Sequence, residues 1–399
     1  MGNELKKILI IAMQDSIHTA RWIAQIVNQG WEIHLFPSLD TDKLHPIMNT
    51  ITVHNTLYET GNSSHENVVQ RGIPVPGPKS LFWGKELLRK FSPNYRVRKL
   101  KRVIEEIRPD IVHSLEIQHA GYLTLEVKKL LGEKFPPWIV TNWGSDIYLF
   151  SRLSWHEQRV REVLASCDYY SCECQRDVCL ATYYGFNGTV LPVFPNTGGF
   201  DLPKCFSLRK SGAVAQRRTI MLKGYQGWAG RALVGLRALE RCADILSGYR
   251  IYIHSAMCDD VVIAAELFRK STGIPLEFVT PGSPHEVILR LHGESRISIG
   301  LSISDGISTS LLEAMVMGSF PIQSFTACAD EWLVDGESGI LVHPDDPDNV
   351  EAAIRRALSD DDLVNSAAEH NRRVAEERLD CRLIKERTLD YYRQTLGAK

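Results

Sequence analysis

The sequence lacks a long apolar run, a low-complexity tract and a large excess of either charge. No stretch approaches the ~20 consecutive apolar residues of a membrane-spanning helix. The apolar run at residues 8–13 is too short for the core of a secretory signal, and residues 1–7 are polar. We therefore expect neither a membrane span nor a secretory signal.

The formal net charge of −2 creates no overall field that would attract nucleic acid or an anionic surface. We therefore expect no nucleic-acid partner. The nine cysteines are an odd number, and the cluster of Cys167, Cys172, Cys174 and Cys179 lacks the paired spacing of a zinc site. This pattern predicts free thiols, a cytoplasmic location and no bound metal.

At 399 residues the chain exceeds the ~250 residues at which single hydrophobic cores stop growing. Short β-branched runs alternate with helical patterns, which predicts parallel sheets with crossover helices. The expected architecture is α/β, with Rossmann-like doubly wound domains at 1–195 and 218–380 that face each other across a cleft. A Pro- and Gly-rich linker is expected at 196–217, and a C-terminal helix at 381–399, for which packing back on the first domain is an open alternative.

Open α/β sheets bind ligands outside the carboxyl ends of their strands, so the loops that follow strands are where functional residues are expected. One such loop, at residues 304–313 (SDGISTSLLE), leads into a helix and offers backbone N–H groups and a positive dipole end. Asp305 and Glu313 are eight residues apart and can line one cleft at different depths. Alternatively, Ser310 and Glu313 form a capping box and Asp305 is a turn residue.

The pattern Asp305-x7-Glu313, followed by residues 314–322 (AMVMGSFPI), resembles the Glu-x7-Glu motif of glycosyltransferase family 4, whose members have the GT-B fold. Residues 330–342 (DEWLVDGESGILV) resemble a later stretch of that family. The resemblance covers most of the second half of the chain. It implies a retaining glycosyltransferase that takes its sugar from a nucleotide diphosphate donor.

By this resemblance Glu313 binds the ribose hydroxyls of the donor nucleotide, and Asp305 acts as a catalytic residue facing the transferred sugar. This chain departs from the family at that position, which usually holds Glu. Asp keeps the charge and shortens the reach by one methylene. The other residues of this loop predicted to contact the donor are Gly306, Ile307, Ser308 and Thr309.

A second loop, at residues 223–231 (KGYQGWAGR), also lies between a predicted strand and a helix. The departing diphosphate needs cations nearby, and family members have an Arg and a Lys at a similar place. Here Lys223 and Arg231 are predicted to bind the diphosphate and to assist catalysis. Alternatively, Arg231 only solvates a helix start, where the dipole disfavours a cation. With these cations no metal is required, and residues 345–348 (DDPD) are interpreted as a helix N-cap cluster.

In the first half, residues 15–22 (DSIHTARW) replace the Gly-rich loop common in this fold and resemble a subset of the same family. Asp15 and His18 are predicted to face the acceptor. In the loop of residues 142–147 (NWGSDI), Asp146 has three open roles: capping the next turn, orienting a histidine or contacting the acceptor.

Residues 110–121 (DIVHSLEIQHAG) carry two histidines. We predict that His119 is a catalytic residue near the donor sugar and that His113 is buried beneath it. The alternative is that both are structural, as most lone histidines are.

A basic segment at residues 82–108 has two interpretations. From Trp83 to Arg108 it holds nine basic and three acidic residues, with aromatic and aliphatic residues interleaved. It is either a solvated helix face or a peripheral contact with the anionic inner face of a membrane that carries a lipid-linked acceptor.

The combined prediction is hexosyl transfer to an acceptor hydroxyl in the biosynthesis of a glycan, a glycolipid or a glycosylated metabolite. The nucleotide diphosphate sugar is a co-substrate, and no cofactor is expected. Two alternatives remain open. One is an epimerase or hydrolase on the same scaffold, since fold does not determine reaction, and the other is a non-catalytic nucleotide-sugar-binding module. Neither the acceptor nor the oligomeric state follows from the sequence.

Overall fold

The computed structural model describes residues 5–41, 43–59, 67–73, 92 and 94–397. The chain divides into two compact units. The first comprises Met1–Gly198 and Ile384–Lys399, and the second comprises Gly199–Leu383.

The described part of the first unit contains an eight-stranded parallel sheet with the order β4-β3-β2-β1-β5-β6-β7-β8. Its strands are β1 Lys6–Ala12, β2 Trp31–Pro37, β3 Ile51–Tyr58, β4 Val68–Ile73, β5 Ile111–Leu115, β6 Trp138–Thr141, β7 Tyr169–Ser171 and β8 Thr189–Val190. The strand order reverses between β1 and β5. The loops after these two strands therefore flank the crevice where a doubly wound sheet binds ligands.

The helices of the first unit cover both faces of this sheet, which is why the residues of the central strand β1 are apolar on both sides. Those in the described part of the unit that precede the C-terminal helix are α1 Ile17–Ile26, α2 Tyr95–Ile107, α3 Tyr122–Leu131, α4 Ser145–Tyr148, α5 Ser154–Ser166 and α6 Gln175–Tyr183. Helix α1 begins after Ser16, whose Oγ accepts a hydrogen bond from the backbone N–H of His18.

The second unit contains a six-stranded parallel sheet with the order β13-β12-β9-β14-β15-β16. Its strands are β9 Thr219–Lys223, β12 Arg250–His254, β13 Leu276–Phe278, β14 Ser295–Gly300, β15 Phe320–Ser324 and β16 Ile340–Val342, and a small antiparallel hairpin joins β10 Gln226–Gly227 to β11 Gly230–Arg231. The order reverses between β9 and β14, so the loops after these strands lie at the switch point.

The helices of the second unit alternate with its strands, as the sequence pattern predicts. They are α7 Leu202–Ser207, α8 Ala232–Arg241, α9 Asp259–Thr272, α10 His285–Glu294, α11 Thr309–Met317, α12 Pro347–Ser359 and α13 Asp361–Arg378. The last helix of the chain, α14 Cys381–Gly397, begins in the second unit, and from Ile384 onward its residues belong to the first unit.

Helix α14 is fastened within the first unit by two adjacent tyrosines. Tyr391 and Tyr392 are fully buried. The indole Nε1 of Trp22 donates a hydrogen bond to the hydroxyl of Tyr392 at 2.9 Å, and that hydroxyl lies 2.7 Å from Nδ1 of His113. The C-terminal helix is therefore part of the hydrophobic core of the first unit.

Two local features differ from the sequence-based expectation. Residues 199–217, inside the predicted linker, belong to the second unit and include helix α7, which begins after the N-cap Asp201 and buries Leu202 and Cys205. Strand β4 was not predicted, because it is mostly exposed and lacks the apolar alternation of a half-buried strand.

The predicted membrane segment falls partly outside the described residues, at 82–91 and 93. Its described portion forms helix α2, which buries Leu100, Val103 and Ile104 in the first unit. Among the described residues, no helix has both the length and the apolar character to cross a membrane. All nine cysteines lie in the described ranges, and none of them forms a disulfide.

Candidate active site

Lys223, the last residue of β9, is the centre of a buried polar cluster at the switch point of the second sheet. Its Nζ donates hydrogen bonds to the hydroxyls of Ser302 and Ser308, each at 3.1 Å. Oδ2 of Asp305 lies 3.6 Å from the same Nζ. The two serine hydroxyls accept hydrogen bonds from the ammonium, whereas the Asp305 carboxylate at 3.6 Å is an electrostatic contact.

The loop after β14 brings these partners together in front of helix α11. Ser308 is the residue immediately before the helix, and the backbone N–H of Gly306 donates to Oδ1 of Asp305 at 3.1 Å. The side chain of Asp305 is 26% exposed, whereas that of Lys223 is 8% exposed. The cluster therefore combines a buried cation with a helix N-terminus, which is an arrangement suited to an anionic ligand.

The hairpin β10–β11 holds this loop in place. Its tip residues accept hydrogen bonds from the loop: the carbonyl of Trp228 accepts from the N–H of Ile303 at 2.8 Å, and the carbonyl of Ala229 accepts from Oγ of Ser302 at 2.9 Å. Gly224, which precedes the hairpin, lets the chain pass close to the end of β12, because an added Cβ would lie 2.8 Å from the carbonyl oxygen of His254.

Arg231 has partners other than the Lys223 cluster. Its Nε donates to Oδ1 of Asp345 at 2.6 Å, and its Nη1 donates to the carbonyl of Gly227. The neighbouring Asp346 caps helix α12 by accepting from the N–H groups of Asp348 and Asn349, which confirms the N-cap interpretation of this acidic stretch. In the described structure Arg231 is thus held by a carboxylate of the second unit.

Glu313 lies in the middle of α11 and is 6% exposed. The capping-box alternative is wrong, because the helix begins at Thr309 and Ser310 is inside it. Oγ of Ser310 lies instead 3.2 Å from Nε2 of His254. The carboxylate of Glu313 is therefore not used at the helix terminus.

Two histidines of α10 surround this carboxylate. Nε2 of His285 lies 2.6 Å from Oε1 of Glu313, and Nε2 of His292 lies 3.6 Å from Oε2. Burial by itself raises the pKa of the Glu313 carboxyl, but the hydrogen bonds and charges of the two histidines outweigh it and hold this pKa well below its ordinary value. Glu313 is therefore ionised although it is buried.

Neither histidine was predicted to be a site residue. They are seven residues apart on a predicted helix and therefore lie on one face of it. This spacing is the one feature of the sequence that could have suggested a shared partner. That pattern does not say what the face contacts. Only the packing of α10 beside α11 brings both rings to Glu313.

The loops after β1 and β6 bring three of the predicted residues of the first unit to one edge of its sheet. Asp15 is exposed and lies three residues after the end of β1, while His18 is partly exposed in the first turn of α1. The ring of His18 lies 5.5 Å from that of Trp143, in the loop before α4, the short helix whose second residue is Asp146.

Asp146 is buried, and its Oδ2 accepts a hydrogen bond from the backbone N–H of Ile117 at 3.0 Å. Burial raises the pKa of Asp146 to about 6. The side chain thereby joins the loop after β6 to the loop after β5, the loop in which His119 lies. Of the three predicted roles, this contact corresponds to orienting a histidine, because Ile117 belongs to the loop that carries His119.

The loop after β5 has an unusual conformation that Glu116 maintains. Glu116 has a φ of 97° and its carboxylate accepts hydrogen bonds from the N–H groups of His119 and Ala120, at the start of a π-helical turn. Burial, together with the charge of Asp146, raises the pKa of Glu116 to about 8. Glu116 was not among the predicted site residues.

The two histidines of this region differ as predicted in exposure. His119 is exposed, and partial burial together with the charges of Arg96 and His156 lowers its pKa. His113 is fully buried in β5, with Nε2 2.7 Å from the hydroxyl of Thr141, and burial lowers its pKa to about 3. His113 is thus a core residue, and His119 is accessible to a ligand.

Two family models match this chain. A model described as glycosyl transferase 4-like matches residues 7–70 and 85–172, and a model described as glycosyl transferases group 1 matches residues 276–374. No curated protein matches the sequence.

Several solved structures are similar over nearly the whole chain. Sucrose-phosphate synthase from Thermosynechococcus elongatus has a TM-score of 0.69 at 16% identity, covering 99% of this chain and 100% of that one. HepE from Anabaena, in complex with UDP and glucose, has a TM-score of 0.67 at 14% identity, with the same coverage. A UDP-forming α,α-trehalose-phosphate synthase from Burkholderia xenovorans has a TM-score of 0.67 at 11% identity, covering 98% of this chain and 99% of that one. These similarities confirm the predicted fold class of two parallel-sheet α/β domains.

Proposed function

Because this chain belongs to the family 4-like glycosyltransferases, we propose that it transfers a hexosyl group from a nucleotide diphosphate sugar to an acceptor hydroxyl with retention at the anomeric carbon. The observation that carries the proposal is the cluster of Lys223, Asp305 and Ser308 in front of helix α11. It presents a cation and a helix N-terminus at the switch point of a doubly wound sheet, where such sheets bind nucleotides.

In this proposal Lys223 binds the diphosphate and stabilises the negative charge that grows on it as the glycosidic bond breaks. The backbone N–H groups at the start of α11 and the side chain of Ser308 add further donors. One preorganised donor of this kind typically contributes roughly 10²–10³ in kcat. Arg231 supplies a second positive charge when the diphosphate takes the place of Asp345. These groups neutralise the leaving group, so we propose that no metal and no cofactor take part.

Asp305 faces the transferred sugar in this proposal. Its carboxylate is partly exposed and is oriented by Lys223 and by the N–H of Gly306. A negative charge at that position stabilises the positive charge that develops at the anomeric carbon. Ile307 and Thr309 complete the loop around the donor, and Glu313, ionised inside α11, accepts hydrogen bonds from the ribose hydroxyls.

The first unit binds the acceptor in this proposal. Asp15 and His18 contact it from the loop after β1. Asp146 acts through its bond to the N–H of Ile117, which positions the loop that carries His119. His119 is exposed and has a lowered pKa, so at neutral pH its ring is neutral and able to accept a proton or a hydrogen bond.

The test is a transfer assay with purified protein. UDP-glucose is the first donor to try, because UDP and glucose are bound in the similar HepE structure, and a panel of sugars, sugar phosphates and lipid-linked sugars serves as acceptors. Two results support the proposal. Nucleoside diphosphate is released only when an acceptor is present, and NMR shows that the product keeps the anomeric configuration of the donor. An inverted product overturns retention.

Two control reactions separate the alternatives. Rapid conversion of the donor without an acceptor supports an epimerase or hydrolase. Donor binding without turnover, across the whole panel, supports a non-catalytic module. Full activity in the presence of EDTA is expected, and loss of activity that added Mg²⁺ restores overturns the metal-independent part of the proposal. We further propose a cytoplasmic location, which fractionation of cells expressing the tagged protein would test.

A further inference from the structure

We propose that His285 and His292 are positioning residues for the donor nucleotide, which hold one side of the Glu313 carboxylate so that its other side accepts both ribose hydroxyls. This inference rests on the proposed function, since it assigns partners to the residue that binds the ribose there. Neither histidine needs to touch the ligand to act in this way.

The geometry places one histidine at each carboxylate oxygen. Nε2 of His285 lies 2.6 Å from Oε1 of Glu313, which is a short charge-assisted hydrogen bond. Nε2 of His292 lies 3.6 Å from Oε2, which is an electrostatic contact beyond hydrogen-bond distance. Both rings come from one face of α10, because residues seven apart in a helix are two turns apart on the same side.

A count of lone pairs shows what this arrangement leaves available. An ionised carboxylate has two oxygens with about four acceptor sites in total. His285 and His292 approach one site on each oxygen. One site on each oxygen remains, and two sites on adjacent oxygens match the two neighbouring hydroxyls of a ribose.

A chain of buried serines orients the ring of His292. Its Nδ1 lies 2.8 Å from Oγ of Ser298, and that oxygen lies 2.6 Å from Oγ of Ser319. An ionised carboxylate only accepts hydrogen bonds, so Glu313 favours the tautomer of His292 with its hydrogen at Nε2. Ser298 can donate as well as accept, and with that tautomer it donates to Nδ1 while it accepts from Ser319.

Burial explains why the carboxylate needs such partners. Glu313 is 6% exposed, and burial of an isolated carboxyl favours its protonated form. A protonated carboxyl loses one acceptor site and the charge that strengthens the ribose hydrogen bonds. The histidines hold the pKa of Glu313 below its ordinary value and so preserve the acceptor.

The alternative is that the histidines only join α10 to α11. A purely structural role would change the melting temperature without changing the preference of the protein for ribose. The deciding quantity is therefore the ratio of the dissociation constants for a 2′,3′-dideoxynucleoside diphosphate and its ribose form. Calorimetry measures both constants, with whichever of UDP, ADP and GDP raises the melting temperature most.

Wild-type protein is expected to prefer the ribose form by roughly tenfold or more, as expected for hydrogen bonds to a charged acceptor. His285→Asn and His292→Asn should weaken binding of the ribose form and leave the dideoxy form unchanged, so the ratio falls toward one. Ser298→Ala keeps the ring but removes its orienting donor, and it should lower the ratio in part. His370→Asn and Ser366→Ala, on helix α13, are the matched controls and should keep the wild-type ratio.

The outcomes separate this inference from the proposed function. If no nucleoside diphosphate binds, or the wild type shows no preference, or Glu313→Gln retains the preference, then the ribose role of Glu313 fails and the positioning roles fail with it. If Glu313→Gln loses the preference while the folded histidine variants keep it, only the positioning inference is overturned. Ser298→Ala decides the matter if His292→Asn does not fold, and an unchanged ratio in that folded variant overturns the role of His292.

Discussion

Replacement of Lys223 by methionine removes the buried positive charge from the second unit while keeping an unbranched side chain of similar length. In the structure the ammonium donates to Ser302 and Ser308 and lies 3.6 Å from a carboxylate oxygen of Asp305. If this cation stabilises the departing diphosphate, its loss should cost roughly 2.7–4 kcal/mol of transition-state stabilisation, which is about 10²–10³ in kcat.

The same change should have a limited effect on folding. Ser302 remains bonded, because its hydroxyl also donates to the carbonyl of Ala229 at 2.9 Å. Ser308 loses a partner, and an unsatisfied buried hydroxyl costs roughly 1–3 kcal/mol. Lys223→Met should therefore fold and melt at a moderately lower temperature, and the folded enzyme should show the full catalytic defect.

The assay follows initial rates of nucleoside diphosphate release at saturating donor, together with thermal melts. Lys270→Met is the matched control, since Lys270 is exposed in the last turn of α9, and it should retain wild-type rates. A folded Lys223→Met enzyme with kcat within about threefold of the wild type would refute the assignment of the leaving-group cation to this residue.

Three further predictions concern other contacts. Asp345→Ala frees Arg231 from a surface ion pair of about 0–1 kcal/mol, so calorimetry should show nucleoside diphosphate binding up to roughly fivefold tighter, and weaker binding would contradict this. Burial lowers the pKa of His113 to about 3, from 6.5 in the unfolded chain. Between these two pH values the unfolded state therefore binds a proton that the folded state does not. The free energy of unfolding should fall by up to about 1.4 kcal/mol per pH unit below pH 6.5, and it should fall less steeply with pH in His113→Asn. Urea titrations at pH 7, 6 and 5 measure this dependence, and an equal dependence in both proteins would count against the prediction. Tyr392→Ala should lose roughly 3–5 kcal/mol of stability, as buried aromatic truncations do. Tyr392→Phe removes only the hydroxyl that accepts from Trp22 and should lose roughly 1–3 kcal/mol. Equal losses in the two variants would show that the hydrogen bonds, and not the packing of the ring, dominate.

Elements with a strong local signal could be predicted from the sequence. The apolar run in β1 identifies a buried parallel strand, since both of its faces are covered by helices. The loops after β9 and β14 could be selected because chemistry in such folds lies at the carboxyl ends of strands. Helix α7 and strand β4 escaped prediction, because one is a short element in a Pro- and Gly-rich region and the other is an exposed edge strand.

The sequence by itself thus determined the two α/β domains and the position of the loop after β14 and of its acidic neighbours Asp305 and Glu313, because periodicity and motif spacing are properties of neighbouring residues. Tertiary structure decided which side chains act on one another. His285 and Glu313 are 28 residues apart, Arg231 and Asp345 are 114 apart, and Trp22 is 370 residues from its partner in the last helix. Such pairs depend on how helices pack and which strands are neighbours, and local propensity does not encode either.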